Sequence, residues 1–413
     1  MKVLLAQIGR RRNYIVPRAF QQLGSLELFY TDIWVRENAR SIVDRLGKSG
    51  YFRKISSLRD RYDPLIPCEK VRSFGRLGFQ YAYRFRKAKT ESERAAVYLW
   101  MGEAFCNFVV RNGLSDANIV YGFNSASLEL FRFAKQKGLM TILDQTVLPE
   151  KMKYMLRIEE RERYPNWAEP ISFSDSIKRL IDREEQEWRY SDAVICGSRY
   201  LLQEITPTLP QTVHPYILEG VGGQTVNEIE TLDHDWSGKK KLRVLFVGNL
   251  RLRKGIGDFA QAAAQLEGVA NFYAAGASRL TPYGEMMLKK SVSLLGRLTR
   301  TELEKEYRKA DVVVLPSIFE GSAKAVYEAL SFGLPVITTP NTGSVVEDGK
   351  HGFIVPIRKP TAIAEKIELL SGDRTRLMEM SQSARKISRE YGEDRYFRNL
   401  HRIVQETLKS KSM

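Results

Sequence analysis

Short apolar runs bounded by glycine, proline or charge recur along this chain, and longer amphipathic stretches separate them. Runs of that length with β-branched residues predict buried strands; the amphipathic stretches predict helices. In the first half, strands are predicted over Lys2 to Gly9, Leu26 to Trp34, Asn118 to Phe123, Met140 to Gln145 and Asp192 to Ser198. Helices are predicted over much of Glu37 to Asn112, over Leu128 to Lys137, over Glu159 to Glu187 with breaks at Pro165 and Pro170, and from Ser198 onward. In the second half, strands are predicted at Leu242 to Gly248, Ala270 to Gly276, Val292 to Gly296, Asp311 to Ser317, Pro335 to Thr339 and Gly352 to Pro356. Helices are predicted over Ile256 to Leu266, up to Arg308 behind a Thr301/Glu304 capping box, and over Ala362 to Leu370 and Arg374 to Tyr391.

Strand–helix alternation on both sides of a Pro/Gly/charge-rich stretch predicts an α/β protein with two doubly wound domains. The expected division is 1–215, a linker over 216–241, 242–391, and a terminal segment 392–413 whose helix runs from about Glu393 to Leu408. The length, 413 residues, agrees with two cores rather than one.

One unit carries candidate chemistry. The strand DVVVLPS leads into IFEGSAKAVYEALSFGLPVI, Ile318 to Ile337. Glu320 lies on the loop after the strand, small residues Gly321, Ser322 and Ala323 follow with Lys324, and Glu328 stands about two turns into a helix expected to start near Ser322. Free amides at such a helix mouth attract anions. The opening loop of the second domain, GNLRLRKG, has Gly248 and Asn249 at its start and Arg253 and Lys254 near its end. Both cations can face a diphosphate. Gly9 and the arginines Arg10, Arg11 and Arg12 end the first strand of the chain.

These motifs resemble retaining glycosyltransferases of the GT-B fold, family 4. The resemblance rests on Glu320, Glu328, Ala329, Leu330, Gly333, Pro335 and Val336, and on Lys254 with Gly255. It covers about Leu242 to Leu370 most closely. It implies two Rossmann-like domains facing across a cleft, with a nucleotide diphosphate sugar mainly on the second and the last helix crossing back to the first. Glu320 would hold the transferred sugar, Glu328 the ribose, and Lys254 and Arg253 the diphosphate. Gly248, Asn249, Gly321, Ser322, Ala323, Lys324 and Gly9 would line the donor. Asn249 stands where the family often has arginine, Ser322 to Lys324 depart from the family's glycine-rich mouth, and Asp144 and Gln145 occupy the place of a frequent cleft histidine.

Composition narrows the partners. The net charge is +16, and residues 1–100 hold 21 Lys/Arg against 9 Asp/Glu, so the basicity is concentrated there. An anionic partner follows: a membrane surface, an acidic glycan or lipid acceptor, or nucleic acid. FGRLGFQYAYRFRK, Phe74 to Lys87, mixes aromatic and basic side chains, which suits a membrane face, an acceptor cover, or ordinary packing with solvated arginines. No nucleic-acid motif accompanies it, so specific nucleic-acid binding is not expected. Three scattered cysteines argue against a disulfide framework and fit a reducing compartment. The chain is expected to be cytoplasmic, peripheral at most on a membrane. DHD, Asp233 to Asp235, matches a metal-binding DxD but falls in the expected linker, so no metal or other cofactor is expected to be required. The expected activity is sugar transfer from a nucleotide diphosphate sugar to a glycan or lipid-linked hydroxyl. A nucleotide-sugar epimerase or a non-catalytic binder of anionic surfaces on the same architecture are the alternatives.

Overall fold

The computed structural model describes residues 1–37, 39, 58, 60–220 and 240–411. The helical pattern expected over 40–57, most of the expected linker and the DHD triplet lie outside the described residues.

Two parallel sheets form the frame. The first contains β1 (Val3–Gln7), β2 (Leu26–Thr31), β3 (Val71–Ser73), β4 (Ile119–Phe123), β5 (Met140–Gln145), β6 (Ala193–Cys196) and β7 (His214–Ile217), in the order β3-β2-β1-β4-β5-β6-β7. The second contains β8 (Leu242–Val247), β9 (Ala270–Ala275), β10 (Ser293–Gly296), β11 (Val312–Leu315), β12 (Val336–Thr338) and β13 (Gly352–Ile354), in the order β10-β9-β8-β11-β12-β13. In each sheet the order reverses beside its first strand, between β1 and β4 and between β8 and β11. Loops diverge at that point and leave a crevice at the carboxyl ends of the strands.

Both faces of each sheet are covered, which is why its strands read as near-continuous apolar runs. Along β1, Val3 and Leu5 enter one core, and Leu4 and Ala6 enter the core on the other face. The helix Glu393–Lys411 lays Tyr396, Phe397, Leu400, Ile403 and Val404 into the first of these. The end of the chain therefore stabilises the beginning.

Several local details differ from the sequence reading. Strands β3 and β7 were not anticipated; β3 is three residues long, and β7 carries Pro215, both poor signals. The helix Pro282–Leu288, capped by Thr281, was missed as well. The capping box belongs to Thr299 and Glu302, not Thr301 and Glu304, because the helix starts at Arg300. The segment from Glu159 to Glu187 is the end of one helix, Glu150–Arg163, and most of another, Asp175–Arg189.

The turn between those two helices interlocks the domains. Sequence placed it in the first domain, yet Tyr164 and Trp167 are buried in the core of the second. The Tyr164 ring lies against Gly257, where an added Cβ would come within 2.5 Å of it. Its hydroxyl donates to Asp258 at 2.6 Å, and Arg163 pairs with the same carboxylate oxygen at 2.9 Å. Arg358 of the second domain reaches back to Glu160 at 2.8 Å. Tyr164→Phe deletes one charge-assisted hydrogen bond and leaves the ring. We expect urea denaturation to show a loss of about 1.5–3 kcal/mol; unchanged stability would mean that the hydroxyl contributes nothing to domain docking.

Candidate functional site

The two switch points face each other. The loop after β11 leaves the second sheet toward the first domain, and Gly321 presses on its backbone: a Cβ there would lie 1.9 Å from the Thr146 carbonyl oxygen. The Ser198 hydroxyl, at the start of the helix Arg199–Ile205, donates to the Gly321 carbonyl at 2.6 Å. Asn341 accepts the Glu320 amide at 2.9 Å and donates its side-chain amide to Ile318 O at 2.9 Å and to Tyr200 of the first domain at 3.2 Å. Ser198, Tyr200 and Asn341 thus fix the carboxylate-bearing loop from both domains. Sequence reasoning did not single them out; the Asn-Thr-Gly turn of 341–343 was the available signal.

Glu320 is where the two loops of the second sheet meet. Arg253 Nη1 and Lys254 Nζ both converge on its Oε1, Lys254 at 2.7 Å. The loop after β8 is held in place by Gly255, whose φ of +71° and close approach to the Pro316 carbonyl exclude a side chain. Ile318 also donates its amide to Arg253 O at 2.9 Å. Burial pushes the Glu320 carboxyl up, but Arg253 and Lys254 more than reverse this and hold it below its ordinary value. Burial pulls the Lys254 ammonium down; Glu320 opposes that and Arg253 adds to it.

Glu328 sits elsewhere than the spacing implied. The helix is Lys324–Ser331, so Glu328 is one turn in, not two. Its carboxylate accepts the Tyr307 hydroxyl at 3.2 Å and pairs with exposed Lys324 at 3.0 Å, with Arg300 at 4.0 Å. Burial first, and then Glu328, raise the Tyr307 hydroxyl well above its ordinary value. A cavity of about 270 Å³ opens here, lined by Glu328, Lys324, Arg300, Tyr307 and Phe332, and by Arg10 from the first domain. The helix mouth has no side-chain cap at Ala323, and Ser322 hydrogen-bonds Tyr327 at 3.3 Å. Gly248 exits β8 with φ +148°, beside the Lys254 stem, and Asn249 is exposed.

In the first domain, Gly9 has φ +78° and donates its amide to Asp32 at 2.9 Å. The three arginines after it part company. Arg11 turns to Asn124 and Thr146, each at 3.3 Å, and Arg12 pairs with buried Asp144 at 2.9 Å. Of the three, Arg10 lines the cavity beside Glu328. Asp144 also accepts the Tyr121 hydroxyl at 2.9 Å, and Gln145 is engaged by Val147, Glu184 and Trp188. Both residues at the expected histidine position are thus buried and engaged within the first domain.

The model of the family described as glycosyl transferases group 1 matches residues 241–373. That span is most of the second domain and holds every group of the Glu320 and Glu328 clusters except Arg10 and the Ser198/Tyr200 clamp. Among curated proteins, an uncharacterized glycosyltransferase of Methanocaldococcus jannaschii is 26% identical over 223 residues, 52% of this chain and 60% of its own length. The N,N'-diacetylbacillosaminyl-diphospho-undecaprenol alpha-1,3-N-acetylgalactosaminyltransferase of Campylobacter jejuni is 26% identical over 174 residues, 40% of this chain and 46% of its own. The chain thus spans about half the length of the curated relatives it matches. Among solved structures, Anabaena HepE in complex with UDP and glucose superposes with a TM-score of 0.59 at 13% identity, covering 98% of this chain and 100% of that one. The architecture is the GT-B fold.

Among the described residues no group of three or more His, Cys, Asp or Glu could hold a metal, and no helix is long and apolar enough to cross a membrane.

The Glu320 pairing predicts a pH signature. A carboxyl whose folded pKa is depressed contributes stability that is fully present above its unfolded value, near 4.5, and is lost as pH falls through the folded value. Glu320→Gln leaves Arg253 and Lys254 crowded without a counter-charge. It should therefore be less stable than wild type at pH 7, with the gap narrowing as pH falls below about 4.5, where the unfolded-state carboxyl protonates, and closing once the native carboxyl protonates as well. Urea titrations of both proteins at several pH values check this; a gap independent of pH would contradict an ionised Glu320.

Proposed function

We propose that the protein is a retaining glycosyltransferase that moves a sugar from a nucleotide diphosphate sugar to an acceptor hydroxyl. The observation that carries this reading is the convergence of Arg253 and Lys254 on Glu320 at the switch point of the second sheet. When the bond between anomeric carbon and phosphate oxygen breaks, its electron pair stays on the oxygen and negative charge grows on the diphosphate. Two cations fixed by backbone geometry stabilise that charge without reorganising. The uncapped amides at the start of Lys324–Ser331 add a third electropositive element.

Without a donor, Glu320 serves as counter-ion to both cations. With one, the diphosphate takes over the cations and the carboxylate turns to the hydroxyls of the transferred sugar. The acceptor hydroxyl attacks the anomeric carbon from the face the phosphate leaves, and its proton passes to the departing phosphate oxygen. No protein base is required in that scheme, which agrees with Asp144 being held by Arg12 and Tyr121. An epimerase would need a free acid–base pair there. Glu328, one turn along the helix and braced by Tyr307, is the ribose partner in the cavity beside Arg10 and Arg300. The Campylobacter relative is named for an undecaprenol-linked substrate and HepE was solved with UDP and glucose, so a lipid-linked or glycan acceptor and a nucleotide donor are in keeping with the reading.

Lys254→Ala should slow turnover at saturating donor by about 10²–10³-fold while melting close to wild type; near wild-type turnover would remove Lys254 from the chemistry. Glu328→Ala should weaken binding of free nucleoside diphosphates, screened across the common bases by calorimetry. Glu320→Ala should instead impair the intact sugar nucleotide. Equal weakening of the free diphosphate by both variants would contradict this division.

A further inference from the structure

Asp258 belongs to the second domain, yet among the described residues both groups that meet its carboxylate belong to the first. It lies in the first turn of the helix Ile256–Gln265, four residues after Lys254, and is 1% exposed. Its Oδ1 accepts the Tyr164 hydroxyl at 2.6 Å and Arg163 Nη2 at 2.9 Å, and its Oδ2 is buried with no hydrogen-bond partner among the described residues. In a second domain detached from the first, Asp258 would be a buried carboxylate with neither cation nor hydroxyl to compensate it. Burial, and next the Asp258 charge, push the Tyr164 hydroxyl above its ordinary value, so it remains a donor at neutral pH.

The turn Leu252–Lys254, which carries Arg253 and Lys254, stands directly before this helix and is joined to it by Gly255. It is supported from two sides. From its own domain, Gly255 closes on the Pro316 carbonyl and the Ile318 amide reaches Arg253 O. From the first domain, the helix Glu150–Arg163 lies against the turn, and at the end of that helix the Tyr164 ring closes on Gly257. This helix is itself anchored in its own domain. The Glu150 amide donates at 2.6 Å to buried Glu184, which also accepts the side-chain amide of Gln145 at 2.8 Å. A continuous path of contacts therefore runs from the end of β5 through Glu184, the helix and Arg163/Tyr164 to Asp258 and the cation-bearing turn.

We propose that Arg163, Tyr164 and Asp258 are positioning residues for the cation-bearing turn, and that through them docking of the two domains sets the hold of Arg253 and Lys254 on a diphosphate. The proposal rests on the transfer reading above and adds a coupling between the domains to it. While the domains are docked, this strut fixes the first turn of Ile256–Gln265 and with it the turn before. When they part, Asp258 loses both partners, and the turn retains only the supports of its own domain. Linkage makes the effect reciprocal: a diphosphate on the two cations strengthens docking by the same factor. Arg358 provides the contrast. Its side chain pairs with Glu159 and Glu160 near the end of the same helix, at 2.5 and 2.8 Å, without belonging to the strut.

The test compares wild type with Arg163→Gln/Tyr164→Phe, which removes both donors and leaves the ring on Gly257, with Tyr164→Phe alone as the milder variant. Arg358→Asn is the docking control, since asparagine accepts the φ of +62° found there. Melting curves establish that each protein is folded at the assay temperature. Hydrogen exchange of the free proteins, read by mass spectrometry, should be at least about 10-fold faster across 252–258 in the double variant, the scale of one lost charge-assisted hydrogen bond. Exchange in the helix Arg374–Glu390 should stay as in wild type. Arg358→Asn should leave 252–258 unchanged, and Arg163→Lys in place of Arg163→Gln should recover part of the protection. Calorimetry with nucleoside mono- and diphosphates reads the second half of the proposal. The preference for diphosphate over monophosphate should fall at least about 5-fold in the double variant, the low end of couplings between linked sites. The proposal is overturned if exchange across 252–258 is unchanged, if it rises equally throughout the second domain, or if Arg358→Asn has the same effect. Equal weakening of both nucleotides would also overturn it, because the turn would then be a tether and nothing more. Failure of the transfer reading is a separate result: wild type would bind neither nucleotide, the coupling to diphosphate would fall with that reading, and the exchange data would still decide whether the strut holds the turn.

Discussion

A single carboxylate oxygen organises the cleft. Glu320 Oε1 receives both Arg253 and Lys254, and this joins the loops that follow β8 and β11. Largely buried charges of this kind cost desolvation energy and are poor sources of net stability, but removing the carboxylate, which leaves both cations without a partner, is strongly destabilising. Such a cluster therefore specifies geometry more than it adds stability. In the proposed reaction it holds two cations in a fixed position before a diphosphate arrives, and the diphosphate would replace the carboxylate as their partner. Preorganisation of this sort is what electrostatic catalysis requires.

The cluster also depends on the interface between the domains. Glu320 is held through its backbone by Asn341, and Asn341 touches Tyr200 of the first domain. Gly321 packs on Thr146, and Ser198 caps the Gly321 carbonyl. The carboxylate loop is therefore shaped jointly by both halves of the chain. Two further devices hold the halves together. The turn with Tyr164 and Trp167 enters the second core, and the helix Glu393–Lys411 returns to the first.

The basic run after β1 shows how the fold distributes charge that the sequence only concentrates. Arg12, Asn13 and Tyr14 all have positive φ, at 48°, 52° and 61°, a conformation that costs each non-glycine residue roughly 1–2 kcal/mol. Compensation comes from burial of the Tyr14 ring against Phe29 and Trp34, at 5.9 and 5.3 Å, and from the Arg12–Asp144 pair. The strained turn sends three consecutive arginines to three different places. Arg11 and Arg12 become internal struts, while Arg10 reaches the cleft.

The α/β alternation, the two doubly wound sheets and the strand–loop–helix unit with Glu320 and Glu328 were legible in the sequence, because buried parallel strands are uninterrupted apolar runs and their periodicity is local. The proximity of Lys254 to Glu320 was implied only by the family resemblance, since 66 residues separate them and nothing local encodes their contact. Short strands such as β3, and β7 with its proline, owe their existence to the neighbours that pair with them and left almost no local signal. Helix starts moved by one or two residues, which placed Glu328 one turn rather than two from the helix mouth. Tertiary structure alone decided which charges are spent internally. Asp144 and Gln145 looked like cleft residues and proved to be tied to Arg12, Tyr121, Glu184 and Trp188, whereas Arg10, one of three consecutive arginines, proved to line the cavity beside Glu328. Pairing of charges depends on distances between segments far apart in sequence, and only the folded chain sets those distances.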